Sequence, residues 1–386
     1  MKKWIIGCIF VMLVLSGCSL KMTTEEKLAL YGGNSVQLTQ GMEGIQIEQL
    51  ASNQVPQLTT DLLEYPAELI GKIFLGLSVE ETKQKVREYY EYLLREQNLT
   101  EEMAKEVGAG IALSKGDATV TCSQTWMTFK GFTNADRYAL TVYTINRLYQ
   151  PDISGVENPV NFHYRHLSSA FSDQELEGGT KEAAKAACDP IAGALGFFSE
   201  ETEIYTMDGE SMNRIQKLAK VPSLDTETDE SGNIVGELKP WRTEQGAYLL
   251  LYKKGINGKI IESIASENIL LLIYHPNWGL LFAEEINGVN GMNIMDESIQ
   301  TVMSGEEAVA QAQLYFEQMD WTGITIVSAK LRYMAPFGNF NFTEKQMQMD
   351  PCWDIEYQYV ENGIQLTDHI LLHAVTGIVA VLSSSF

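Results

Sequence analysis

The residue with the clearest chemical opportunity in this sequence is Cys18, a thiol that follows Leu15-Ser16-Gly17 at the end of an apolar run from Trp4. Three further thiols that bear on a mature fold, Cys122, Cys188 and Cys352, lie far apart and show no CxxC or metal-ligand spacing. Three thiols allow at most one intramolecular disulfide, and buried single thiols are the favoured state. His163 and His166 are three apart, which on a helix lets two imidazoles hold one metal, yet the sequence places no third ligand and no metal is expected. His369 and His373 fall in a strand-like run, where they would lie roughly 13 Å apart at ~3.3 Å per residue, so each is expected to be hydrogen-bonded or solvent-facing separately. Asp225 to Gly232 reads DTETDESG, with Glu227, Asp229 and Ser231 set like the first ligands of a calcium loop and Gly232 at the required turn. The match fails at its start, where Glu replaces Asp, and at its end, where Leu238 stands in place of a bidentate Glu, so a solvated hairpin or loop is favoured. There is no HExxH, GxSxG, SxxK or phosphate-binding glycine loop. No catalytic residue, metal ligand or cofactor site is therefore expected, although an acid–base pair among 51 carboxylates leaves no local signature.

What gives Cys18 its meaning is the segment before it. Lys2 and Lys3, the apolar run and the small residues ending at Cys18 form the three zones of a secretory signal peptide. The run is shorter than the ~20 residues a helix needs to cross a bilayer. Leu15-Ser16-Gly17-Cys18 resembles the lipobox of bacterial lipoproteins. The resemblance implies that residues 1–17 are removed and that Cys18 receives a diacylglyceryl thioether, anchoring the protein to the extracytoplasmic face of the cell membrane. Cys8 leaves with the leader.

Without Lys2 and Lys3 the chain has 26 basic against 51 acidic residues, a charge of −25. That excludes nucleic acid as an expected partner, because phosphate binding needs clustered Lys and Arg. It also repels an anionic bilayer, so lipid has to carry the attachment, at about 0.8 kcal/mol per buried methylene. With 45% hydrophobic and 10% aromatic residues, the chain can bury sizeable cores.

The elements are read in order. Thr23 with Glu26 opens a brief helix to about Tyr31, and Gly44 to Leu50 alternates like a half-buried strand. Leu58 to Phe74 is apolar but interrupted by Pro66 and is left open. Ser78 with Glu81 caps a helix whose apolar stripe is Val79, Val86, Tyr89, Tyr90 and Leu93; core packing is favoured over a stacking platform for its tyrosines. Ala118 to Phe129 and Arg137 to Leu148 read as two antiparallel strands on their Val, Thr and aromatic content. Pro151 to Pro159 reads as a linker. Thr180 opens a second capped helix that Pro190 should kink or end, and Ser211 to Lys220 adds a short helical piece. After Trp241, strands return around the Asn257-Gly258 turn, then at Ile269 to Tyr274 and Gly279 to Glu284. Ser304 with Glu307 opens a third helix burying Ala308, Ala312, Tyr315 and Phe316. Strands follow at Ile324 to Tyr333, Cys352 to Val360 and Gln365 to Ala374, with Asn362-Gly363 as a turn, and Gly377 to Leu382 closes the sheet.

A helix-then-strands plan thus starts three times, at Ser78, Thr180 and Ser304. Its clearest echo pairs Tyr274-His275-Pro276-Asn277-Trp278-Gly279 with Leu372-His373-Ala374-Val375-Thr376-Gly377: a strand, a His, three residues and a Gly. The expected class is α+β, with repeated units of helix plus antiparallel sheet. The divisions expected are a leader at 1–17, an N-terminal domain at 18–160, a middle domain at 161–295 and a C-terminal domain at 296–386. Runs of strands argue against a solute receptor, which needs alternating β and α units.

Ser304 to Ala308, the strand Pro351-Cys352-Trp353-Asp354-Ile355 and Ala374-Val375-Thr376-Gly377-Ile378-Val379 together resemble a PepSY-type domain, with His373 where that family often has Asp. The resemblance implies a non-catalytic binding or inhibitory module over the last quarter. Over its full length the chain resembles uncharacterised lipoproteins of Gram-positive, Clostridia-like bacteria. The function expected is a membrane-anchored binding or regulatory lipoprotein with a protein or peptide partner in the envelope. The alternative is a cell-envelope hydrolase using carboxylates the sequence does not single out.

Overall fold

The structure is a computed structural model and describes residues 42–62, 66–96, 110–122, 126–149, 167–198, 200–229, 232–256, 258–263, 269–286, 292–335, 340–341, 346–361 and 364–380. The leader with Cys18, the helix expected at Thr23 to Tyr31, the linker at Pro151 to Pro159, the pair His163 and His166, and the Asn362-Gly363 turn lie outside the described residues.

The chain enters through β1 (Gln46–Ile47) and β2 (Gln54–Leu62), and Pro66 then stands at the N-cap of α1 (Ala67–Leu75). This resolves the stretch left open at Leu58 to Phe74: the proline divides a strand from a helix, where its missing N–H costs nothing. Helix α2 (Val79–Glu96) begins at the expected capping box, with Glu81 accepting from the Ser78 amide at 2.8 Å and Ser78 Oγ accepting from the Glu81 amide at 3.2 Å. Its stripe is buried unevenly. Leu93 is inaccessible, Val86, Tyr89 and Tyr90 are half-buried, and Val79 is exposed.

Strands β3 (Ile111–Lys115), β4 (Ala118–Cys122) and β5 (Met127–Lys130) form a meander. The strand expected at Arg137 to Leu148 is instead α3 (Asp136–Tyr149). Tyr138, Ala139, Val142 and Ile145 are all at 0–1% exposure, a stripe at offsets of one, four and seven that only a helix can bury on one side. The β-branched and aromatic content pointed to a strand, and the period decided otherwise.

A short α4 (Leu167–Ala170) precedes α5 (Lys181–Ala194), whose Thr180 cap accepts from the Ala183 amide. Pro190 does not end α5, which runs one turn past it. Then come β6 (Glu203–Met207), α6 (Gly209–Ala219) with Asp208 as its cap, and β7 (Ala247–Lys253). Beyond β7 the chain leaves this sheet for β8 (Gly255–Ile256) and β9 (Lys259–Ser263), and returns in β10 (Ile269–His275) and β11 (Gly279–Ile286).

Seven strands form one antiparallel sheet in the order β3-β4-β5-β11-β10-β7-β6. Runs of consecutive apolar residues in its central strands, Ala247 to Tyr252 and Ile269 to Tyr274, fit a sheet covered on both faces. Tyr248, Leu250, Tyr252, Leu270 and Leu272 join the core under α1 and α5, while Leu249, Leu251, Ile269, Leu271 and Ile273 join the core under α3 and α6. Cys122 and Cys188 are buried in the first of these cores, Cys352 is buried in the second sheet, and none of the three is in a disulfide. Burial pushes the Cys122 thiol up to about 11 and, with Asp189, the Cys188 thiol up to about 12, so both are inert at neutral pH.

The rest of the chain builds a second sheet. Strand β12 (Met292–Thr301) pairs with β2; α7 (Gly305–Gln318) follows, then β13 (Thr325–Ala335), β14 (Phe340–Asn341), β15 (Gln346–Glu361), β16 (Ile364–His373) and β17 (Val379–Ala380). The order β12-β2-β15-β13-β9-β8 brings strands from 54–62 and 255–263 into the sheet of the C-terminal segment, and β1 pairs in parallel with β13. The three-way division at 160 and 295 therefore does not follow the sheets. Strands from 111–130, 203–253 and 269–286 share one sheet, and the C-terminal helix rests on another.

One face of the second sheet meets α7 through Leu331, Trp353, Ile355, Tyr357, Ile370 and Leu372. The third capping box is present, with Glu307 accepting from the Ser304 amide at 2.7 Å and Ser304 Oγ accepting from the Glu307 amide at 3.2 Å. Ala308, Ala312 and Phe316 are buried as expected and Tyr315 is half-buried. Ser304→Ala removes one half of this box and should cost about 1 kcal/mol, read as a lower urea midpoint with an unchanged slope. A loss under about 0.3 kcal/mol would show that packing against Trp353 alone fixes the helix start.

Candidate functional site

The face of the second sheet turned away from α7 carries a concentration of partly or wholly buried charge. Alternation along β13 puts Ser328, Lys330 and Arg332 on this face, with Asp354 and Glu356 of β15 and His369 of β16 beside them. The register sets Lys330 against Asp354, Ser328 against Glu356, and Glu356 against His369. Asp354 is 5% exposed, and its Oδ1 lies 2.8 Å from His369 Nδ1. Burial pushes the Asp354 carboxyl up, but the charge and hydrogen bond of His369, with Lys253 and Arg332 nearby, outweigh it and hold the group well below the usual carboxylate range.

The same face reaches the first sheet's unit. Arg332, 5% exposed, donates through Nη2 to both oxygens of Glu201 at 2.8 Å, and Lys330 Nζ lies 3.6 Å from Glu201. Ser328 Oγ donates to Glu356 at 2.9 Å. A His beside a carboxylate with a hydroxyl nearby is the composition of a nucleophilic site. Here, though, the hydroxyl is bonded to Glu356 and Arg332 to Glu201. The groups are set as ties within the sheet and between its strands and the segment before β6.

A second charged feature is Arg137 at the start of α3. Its guanidinium donates to the carbonyls of Ser223 and of Thr226 and to Thr228 Oγ1, clamping the loop that carries the acidic run. Beside it lies an open groove of about 470 Å³ lined by Asn134, Arg137, Leu224, Asp225, Glu227 and Val235, among others. The acidic run forms a hairpin-like loop, as expected. Thr228 bridges Ile234, and both carboxylate oxygens of Asp229 accept from Asn233, while Asp225 pairs with Arg242 at 2.6 Å. Glu230 and Ser231 lie outside the described residues. Among the described residues no group of three or more His, Cys, Asp or Glu is set to hold a metal.

The histidines of the repeated motif have one shared role. His275 Nδ1 accepts from the amides of Asn277 and Trp278 at 3.0 and 3.2 Å, and His373 Nδ1 accepts from those of Val375 and Thr376 at 3.2 and 3.3 Å. Each turn then closes on a glycine in the left-handed region, Gly279 at φ 76° and Gly377 at φ 69°. The spacing His-x3-Gly is thus a hairpin whose turn amides are capped by an imidazole. His369 and His373 bond to different partners, as expected.

Sequence reading did not reach Asp354, Arg332, Arg137 or Glu284, whose carboxyl burial raises to about 7 against a hydrogen bond from Thr128. For the first two a signal existed: charges at every second position of otherwise apolar strands mark one polar face. No signal marks Arg137, whose partners, two carbonyls and a threonine hydroxyl, lie about 90 residues away.

No protein-family model matches the chain, and no curated protein matches it in sequence. In fold it is similar to the 1.45 Å crystal structure of an uncharacterized protein from Eubacterium rectale ATCC 33656, at 13% sequence identity and a TM-score of 0.49, over 87% of this chain and 89% of that one.

Proposed function

We propose that the protein is a lipoprotein anchored through Cys18 at the extracytoplasmic face of the cell membrane, and that its folded body is a non-catalytic binding or regulatory module for a protein or peptide partner. The observation that carries the proposal is Leu15-Ser16-Gly17-Cys18 behind the apolar run from Trp4. No helix among the described residues is long and apolar enough to cross a membrane. The PepSY-like reading of the C-terminal segment is supported by the capped α7 packed on β13, β15 and β16, with Trp353 beneath it and the Thr376-Gly377 turn at its end.

Cys18→Ser should abolish labelling by a fatty-acid probe and leave the precursor unprocessed by the lipoprotein route. Labelling and retention equal to the unsubstituted protein would refute the anchor. Crosslinking on intact cells should then recover a protein partner; recovery of lipid and peptidoglycan alone would remove the binding reading. The pair Asp354–His369 favours one other reading, a cell-envelope hydrolase with His369 as base. Turnover of an envelope peptide or glycan that His369→Asn abolishes would establish it.

A further inference from the structure

His275 is buried, yet it sits beneath an exposed aromatic. The indole of Trp278, 51% exposed, stacks on its imidazole with centroids 4.0 Å apart and planes 12° from parallel. The imidazole's hydrogen bonds define its proton count. Nδ1 accepts two main-chain amides, Asn277 and Trp278, and so carries no proton, while Nε2 donates to the Glu244 carbonyl at 2.9 Å. The ring is therefore neutral with its proton on Nε2. We propose that the turn from His275 to Gly279 is an acid-responsive device that fixes Trp278 against the ring while His275 is neutral and releases it when the imidazole takes a second proton.

The proton can go only to Nδ1, where it would point at two N–H donors. Both turn hydrogen bonds must then break, in the segment that places Trp278. Stacking of the indole on a cation opposes this, but a buried imidazolium facing two amide donors loses both bonds and its hydration. The charged groups on the surrounding elements are engaged with one another. Glu244 pairs with Arg242 on the 3-10 turn at Thr243–Gln245, Arg242 also with Asp225, and Glu175 accepts from Tyr248 of β7. None of these carboxylates is among the ring's hydrogen-bond partners. Burial accordingly lowers the proton affinity of His275, against the opposing pull of the Glu244 carbonyl. His373 caps the sister turn in the same way, but its Nε2 lies 3.8 Å from the carboxylate of Asp350, and it stands as the internal contrast.

The experiment is a histidine-ring and tryptophan-amide NMR titration of the full chain in detergent, with His275→Asn to assign the resonance. Asn keeps an acceptor for the turn amides and does not titrate. The expected result is a His275 ring that stays neutral and Nε2-protonated below the ordinary His value of ~6.5, then protonates with the same midpoint at which the Trp278 amide shifts. In His275→Asn that Trp278 transition disappears. A ring that titrates at or above the ordinary value, a ring that protonates with Trp278 unmoved, or a Trp278 transition surviving in His275→Asn would each overturn the proposal. If His275→Asn fails to fold, the coincidence or separation of the two midpoints in the unsubstituted chain decides alone.

Discussion

Lys254→Met should destabilise the protein by about 3–5 kcal/mol, the cost of leaving a buried ion without its partner. Lys254 and Glu285 are 2% and 0% exposed at their side chains, with Nζ 3.2 Å from Oε1 and 4.8 Å from the centre of the Phe197 ring. The pair sits where the chain leaves β7 for the other sheet: the Lys254 carbonyl accepts from Ile261 of β9, and Phe197 bridges Lys254. Burial lowers the Lys254 pKa, and the charge and hydrogen bond of Glu285 oppose that shift. Removing Lys254 leaves a carboxylate in the core. Removing both groups, as Lys254→Met with Glu285→Leu, substitutes apolar volume of similar size and should recover most of the loss. Urea denaturation of the two single variants and the double closes the cycle. A double variant that loses the sum of the singles would show that the pair is not coupled.

This pair also shows what a sequence hides. In GAYLLLYKKGINGKII, the lysines look like the polar end of a strand before an Asn-Gly pair, yet β8 and β9 that follow them lie in the other sheet. Nothing local says that the strand ends by passing into a second sheet, or that Glu285 waits across the core. Caps were legible because their partners are three residues apart, as at Ser78, Thr180 and Ser304. The apolar strands Ile269 to Tyr274 and Gly279 to Glu284 were legible for the same local reason. Sheet membership was not, since β1, β2 and β9 reach β13 or β15 across 70 to 290 residues. Helix α3 was misread because residue preference outweighed period. At the charged face, His369 was visible as a residue, but its partner Asp354 is fixed by the β15–β16 register, which depends on the whole hairpin.

That register underlies the second large effect. Asp354→Asn should cost about 3–5 kcal/mol at pH 7 by uncoupling a buried charge from His369 and its cationic neighbours. It should also change the acid limb of stability. The Asp354 carboxyl is depressed in the fold relative to an unfolded value of ~3.9. Below that value the unfolded chain binds a proton that the folded chain resists. Its contribution is therefore complete above about pH 5 and lost progressively as pH falls through ~3.9 toward the folded value. In Asp354→Asn this loss is absent, so the stability curve below about pH 4 should be shallower by up to one proton. If Asp354→Asn and the unsubstituted chain lose stability in parallel between about pH 5 and pH 2, Asp354 is not the group that His369 and Arg332 hold ionised, and the charged face is tied together by Glu201 instead.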